Sequence, residues 1–150
     1  MGYYRSPGEG VCTDVVLDAF FSAGIDLRTL LAEDIRAHRE EYPFAEGNSI
    51  DARRARVLVD WFRRHWEPLP LDRDFLPGDV VFYTGTYRSD GVADHVGIVS
   101  DKSSSEGVPL IIDNFPDPGY VSETADVFCA EMIGHFRVRS EGNSDTGSPE

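Results

Sequence analysis

The sequence predicts an α+β domain, with N-terminal helices packed on a C-terminal antiparallel sheet. Two observations carry this. Apolar residues recur at helical spacing as far as about His65, and short apolar runs of strand length take over after Pro68 and Pro70. Helices first and strands after is the order of a segregated fold, not of alternating βαβ units. The 150 residues fit one compact domain. That domain is expected over residues 1–139, and the Gly, Ser, Asn, Thr, Asp, Glu and Pro of 140–150 read as a disordered tail.

Residues 1–10 are a Gly/Pro-bearing lead-in. From Thr13 to Ser22, the residues Val15, Val16, Ala19 and Phe20 keep helical spacing, and Gly24 is a stop signal. Asp26 is placed to cap a second helix, with Leu30, Leu31 and Ile35 expected on its inner face. A loop follows from Tyr42 to Asn48. Asp51 is expected to cap a third helix that reaches His65. Its inner face would be Val57, Leu58, Trp61 and Phe62. Its outer face would carry Arg53, Arg54, Arg56, Arg63 and Arg64, solvated and paired with acids.

Leu76-Pro77-Gly78-Asp79 reads as a turn. Val80 to Tyr83 is a strand buried on both faces, Thr84 to Ala93 a loop, and His95 to Ser100 a strand. Asp101 to Gly107 is a polar turn. Leu110 to Ile112 is a strand that ends at Asp113-Asn114, before a turn over Pro116 to Gly119. Ser122 to Glu131 is open between a short helix and an irregular connection. Gly134 to Arg139 reads as the last strand.

The formal net charge is −13, from 14 basic and 27 acidic residues. That balance disfavours nucleic acid and anionic membrane surfaces, which need clustered Lys and Arg. It fits a neutral or cationic peptide ligand better than a polyanion. No apolar run has the length of a spanning helix, so membrane insertion is not expected. The start of the chain has neither the basic head nor the apolar run of a signal peptide, which leaves a cytoplasmic protein or one already relieved of a leader. Cys12 and Cys129 are the two cysteines, too few for a disulfide framework, though one bridge between them is conceivable. No ligand spacing for a metal or organic cofactor is evident, and none is expected.

Gly10-Val11-Cys12-Thr13-Asp14 puts Cys12 where a loop ends and a helix begins. The positive end of the helix dipole favours a thiolate there. The backbone N–H groups of that turn have no intrahelical acceptor and can donate to an oxyanion. Asp94-His95-Val96-Gly97-Ile98-Val99 puts His95 at the head of a strand, as general base and then general acid. Gly97 shares its face and would leave room beside the imidazole for substrate or for the helix. Asp113 is the first choice to orient His95 and Asn114 the second; they point to opposite faces, so at most one can serve.

Each residue also has a plainer role. Cys12 could be a small core residue and His95 a structural one. Asp14 suits the first turn of a helix, and could also orient the site. Tyr3, Tyr4 and Tyr83 could line a substrate groove, though tyrosines at strand ends need no special task. Asn114, Asp14 and Tyr83 are therefore the substrate-binding candidates. Asp94 would face away from the site. Cys129 reads as buried filler, His38 and His65 as solvated, and His135 as structural.

The motifs Gly-Val-Cys-Thr-Asp-Val-Val, Leu-Pro-Gly-Asp-Val-Val-Phe, Asp-His-Val-Gly-Ile-Val-Ser and Leu-Ile-Ile-Asp-Asn occur in that order. With Gly24-Ile25-Asp26-Leu27 and Ile133-Gly134-His135-Phe136-Arg137, they span about Gly10 to Arg139. This pattern resembles the NlpC-like branch of papain-fold cysteine peptidases, and most closely the bacterial DUF1287 family. The resemblance implies a circularly rearranged papain-like fold with the catalytic helix on an antiparallel sheet. It implies cleavage of amide bonds in peptidoglycan stem peptides, between D-glutamate and a diamino acid, and an extracytoplasmic location. On matching positions Cys12 is the nucleophile and His95 the base. The third position usually carries a histidine or another polar residue in such enzymes; here it is Asp113. A thiol acyltransferase or esterase would use the same site on another substrate, and a binding module would keep the fold without the chemistry. The oligomeric state is not legible in the chain.

Overall fold

The computed structural model describes residues 11–86, 88–114 and 121–138. Tyr3, Tyr4, the Pro116 to Gly119 turn and the 140–150 tail lie outside the described residues. The helices are α1 (Val11–Ser22), α2 (Leu27–Ala37) and α3 (Ala55–His65), with 3-10 turns at Arg39–Glu41 and Ser49–Arg53. The strands are β1 (Val80–Thr84), β2 (His95–Ser103), β3 (Pro109–Ile112) and β4 (Glu131–Phe136). They form one antiparallel sheet in the order β3-β2-β1-β4. Among the described residues no helix is long and apolar enough to cross a membrane.

Several expected boundaries move, each for a local reason. Asp26 does cap α2, accepting from the Thr29 N–H and hydroxyl. The inner face of α2 is Leu27, Leu31 and Ile35, while Leu30 is 41% exposed. The buried stripe therefore repeats every four residues and starts one residue inside the cap. The third helix starts at Ala55, not at Asp51. Asp51 sits in the preceding 3-10 turn and accepts the N–H groups of Glu46 and Gly47, so it ties down the loop instead of capping α3. Val57, Leu58, Trp61 and Phe62 form the inner face of α3 as expected. Arg54, Arg63 and Arg64 pair with Glu46, Asp60 and Asp34, whereas Arg56 lies over the Phe44 ring. β2 runs on to Ser103, and β4 begins already at Glu131. The segment from Ser122 to Ala130 is an irregular strap, stitched to the sheet edge by bridges Leu110↔Asp126 and Asp113↔Ser122.

The strap explains why β1 is buried on both sides. Val80, Phe82 and Val96 point into the core shared with Val16, Leu17, Phe20, Leu58 and Phe62 of the helices. Val81, Tyr83, Val99 and Ile111 point the other way and are covered by Val127 of the strap. Phe62 pins the two layers together. Its ring lies 5.9 Å from Phe20, 5.5 Å from Phe82 and 5.6 Å from Phe136. Truncation of such a ring to alanine costs on the order of 3–5 kcal/mol.

The Leu-Pro-Gly-Asp turn has a structural task. Asp79 accepts from His135 Nε2 (2.7 Å), from Arg137 Nε and Nη2 (2.8 and 2.9 Å) and from the Leu76 N–H (3.0 Å). The His135 Nδ1 pairs with the Pro70 carbonyl at 2.6 Å, and Phe75 stacks on the ring. This clasp joins the head of β1 to the end of β4.

Candidate active site

α1 is anchored through Val16, Leu17 and Phe20, which fixes where its first turn points. Cys12 is the second residue of that turn and is 4% exposed. It belongs to the core cluster that the helices share with the sheet, and its polar neighbour sets it apart from the apolar residues there. The neighbour is His95, the first residue of β2, which feels Cys12 through hydrogen bonding and charge. Both cysteines are free, so no bridge joins Cys12 to Cys129.

His95 Nε2 and Asp113 Oδ2 are 2.9 Å apart, and both side chains are 0% exposed. With Nε2 given to the carboxylate, Nδ1 is the ring nitrogen that a proton exchange with the thiol would use. Burial pulls the imidazole pKa down. The hydrogen bonds and charges of Asp113 and Cys12 outweigh it, and His95 is raised to about 9. It therefore holds its proton at neutral pH.

Asp113 is thus the residue that meets the imidazole. Asn114, next in the chain, is buried, and among the described residues its Oδ1 has no hydrogen-bond partner. Asp113 Oδ1 is likewise buried, with no partner among the described residues. The β2–β3 register pairs Ile98 with Ile112 and Val99 with Ile111. Continued by one step, it sets Asp113 opposite Gly97. A Cβ at Gly97 would stand 3.3 Å from the Asp113 Cβ and 3.3 Å from the Ile112 carbonyl oxygen. The space at Gly97 is therefore filled by Asp113 and β3, not kept for substrate or for α1 as the sequence suggested.

Tyr83 is fully buried and donates its hydroxyl to the Val127 carbonyl at 2.8 Å. Its ring lies 5.9 Å from the imidazole. It packs beside His95 as a support and has no surface to offer a substrate groove. Asp94 faces away, as expected: its carboxylate accepts from the Thr86 and Arg88 N–H groups. Cys129 is exposed, contrary to the buried filler expected. The irregular strap leaves it beside Tyr83 and not in the core. Asp14 is buried, 3.7 Å from Arg28. Among the described residues no cluster of three or more His, Cys, Asp or Glu is arranged to hold a metal ion.

A feature the sequence did not single out lies beside α1. A cavity of ≈ 760 Å³ opens between α2 and the Ser49–Arg53 turn, with Asp14 in its wall. Neither Cys12 nor His95 lines it.

The fold and the site together define an α+β domain with a cysteine, a histidine and an aspartate brought together at the head of its first helix. Residues 3–138 match the family described as "Domain of unknown function (DUF1287)", and the chain belongs to that family. It is 36% identical over 138 residues to the "Uncharacterized protein YijF" of Escherichia coli (strain K12), a match that takes in 86% of this chain and 64% of that protein. The chain thus spans somewhat less than two thirds of that relative's length. No solved structure matches.

Proposed function

We propose that the chain is a cysteine amidase of papain-like, NlpC-type design that cleaves peptidoglycan stem peptides at the D-glutamyl to diamino acid bond. The observation that carries this reading is the Cys12–His95–Asp113 constellation, with the imidazole held between a thiol and a buried carboxylate.

The chemistry follows from the residues. His95 carries a proton at neutral pH and stabilises the Cys12 thiolate beside it. The sulfur attacks the scissile carbonyl and forms a C–S bond, and the carbonyl π electrons move to oxygen. Backbone N–H groups in the first turn of α1, which lack intrahelical acceptors, stabilise that oxyanion. The C–N bond breaks as His95 Nδ1 gives its proton to the leaving amine. Neutral His95 then takes a proton from water, whose oxygen attacks the thioester. The C–S bond breaks, the acid is released, and thiolate and imidazolium are restored. Asp113 holds the ring orientation throughout and stabilises its charged form.

The test is incubation of purified stem peptides with the protein, followed by mass analysis. Cleavage adds one water and yields a fragment with a free D-glutamyl carboxylate. Cys12→Ala is the control. Equal product from wild type and Cys12→Ala overturns the reading, and so does turnover of an ester panel with the stem peptides left intact.

A further inference from the structure

We infer that Asn114 is a specificity-determining residue that pairs with a backbone peptide bond of the substrate, so that the site takes peptides in preference to their ester counterparts. The inference rests on the amidase reading for the substrate, and it adds what would hold that substrate in register with Cys12 and His95.

Asn114 is 5% exposed, and among the described residues its Oδ1 has no hydrogen-bond partner. Buried side-chain acceptors in folded chains almost always meet a donor, so each orphan calls for a reason. The ordinary partner of an asparagine in a loop is the backbone N–H two positions on. Asn48 accepts from Ile50, Asp90 from Val92 and Asp126 from Phe128 in this way, at 2.9, 3.1 and 2.8 Å. The residue two positions beyond Asn114 is Pro116, which has no N–H. The chain withholds from Asn114 the partner that its loops give the other three.

The place of Asn114 in the fold gives the orphan a target. Gly97 and Asp113 share a face of the sheet with Val99 and Ile111, the face that meets the strap. Side chains alternate along β3, so Ile112 and Asn114 belong to the other face. Ile98, the register partner of Ile112, packs there against the cluster that includes Cys12, Val16 and Val96. Continued by two steps, the register sets Asn114 opposite Val96, the residue after His95. α1 packs against β2 on this face. Asn114 therefore belongs to the α1 face, on which Cys12 sits, whereas Asp113, one residue back, meets the imidazole from the strap face.

The chemistry of the side chain names the ligand. A carboxamide offers an acceptor and a donor side by side, the complement of the N–H and C=O of a peptide bond. It has no charge with which to select an acid or a base. A substrate chain whose scissile carbonyl lies at the head of α1 and which runs on toward the end of β3 would bring a flanking peptide bond to Asn114, with its N–H donating to Oδ1. An ester in that bond has no N–H and leaves Oδ1 unpaired. A site built to hydrogen-bond a group rejects the analogue that lacks it, because the buried acceptor then stays unmet.

The test is a double-mutant cycle between protein and substrate. The full chain carrying Cys12→Ala binds without turnover. Calorimetry reads its affinity for a stem peptide and for two analogues, with an ester oxygen in place of the N–H in the bond before or the bond after the scissile amide. One analogue is expected to bind about tenfold more weakly than the peptide. Asn114→Ala in the same background is expected to reduce that difference to about twofold or less, with an unchanged circular dichroism spectrum. A merely structural asparagine would weaken all three ligands alike. Asn114→Leu, of similar size, repeats the measurement if the smaller side chain does not fold. Failure of both to fold assigns Asn114 to the core and overturns the inference. Equal affinity for the peptide and both analogues overturns it too, and so does a difference that survives loss of the carboxamide. Cleavage of the stem peptide by the wild-type chain with a flat cycle keeps the amidase and removes Asn114 from its specificity. An intact cycle with no cleavage sinks the amidase reading and keeps Asn114 as a reader of peptide bonds. A protein that binds none of the three ligands overturns both.

Discussion

Gly97 and Asp113 face each other across β2 and the end of β3, and a side chain at Gly97 would press on Asp113 and on the β3 backbone. The Asp113 Cβ is 3.3 Å from the position of a Gly97 Cβ, and the same aspartate reaches His95 Nε2 at 2.9 Å. The glycine is therefore how the strand pair admits a carboxylate to the side of the imidazole. Gly97→Val is expected to push Asp113 off His95. Overpacking of this kind costs about 1–3 kcal/mol of stability. Loss of the orienting bond is expected to lower kcat by about 10- to 100-fold, within the range of acid–base contributions. Thermal melts and steady-state kinetics check both. A Gly97→Val protein with wild-type kcat would show that the contact has no part in orienting the ring.

The raised pKa of His95 sets a pH limit. A group whose pKa rises on folding contributes stability that is complete below its unfolded value, near 6.5, and is lost as pH climbs through about 9. Activity that needs the imidazolium as general acid is expected to fall on the same alkaline limb. Asp113→Asn removes one of the causes that raise the pKa, so the limb moves to lower pH and kcat drops by about 10²- to 10⁴-fold. A kcat/KM profile of the two proteins reads the shift. An unmoved limb would mean that Asp113 does not act on the proton of His95.

Much of this site is legible in the chain because its parts are local. Cys12 at a helix start, His95 at a strand start and Asp113 at a strand end each follow from punctuation within a few residues. The long-range facts are harder. Gly97 reads from sequence as space for a substrate, and only the β2–β3 register reveals that Asp113 fills it. Tyr83 reads as a groove residue because nothing local says that the strap will lie over it and accept its hydroxyl. The cavity beside α1 escapes notice because α1, α2 and the Ser49–Arg53 turn build its walls together. Leu30 and Asp51 miss by one residue or one turn, which is where the hydrophobic pattern and the capping signals compete.

The Asp79 clasp predicts the acid limb of stability. Desolvation raises its carboxyl, but hydrogen bonds from His135, Arg137 and the Leu76 N–H outweigh this and hold it lowered to about 2. Its contribution is present above the unfolded value, near 3.9, and is lost as pH falls toward about 2. Asp79→Asn is expected to lower stability at pH 7 by about 2–4 kcal/mol, since it leaves buried donors of His135 and Arg137 poorly matched. It is also expected to flatten the dependence of stability on pH between these two values. Urea midpoints measured across that range check it, and parallel curves for the two proteins would remove Asp79 from the account.

The two thiols are expected to react in the opposite order from their exposure. Cys129 is exposed, yet desolvation of its thiol, with Asp113 and Asp126 adding charge, pushes it up to about 11. Cys12 is buried but faces an imidazole that is protonated at neutral pH. Nucleophilicity follows the thiolate, not the thiol. Iodoacetamide at pH 6.5 is therefore expected to label Cys12 at least tenfold faster than Cys129, as peptide mass mapping would read it. Asp113→Asn is expected to slow the labelling of Cys12, because the imidazolium that faces it is then less populated. Cys129→Ser is expected to leave both the rate at Cys12 and the amidase activity unchanged. Faster labelling of Cys129 in the native protein would mean that exposure outweighs the influence of the imidazolium that faces Cys12.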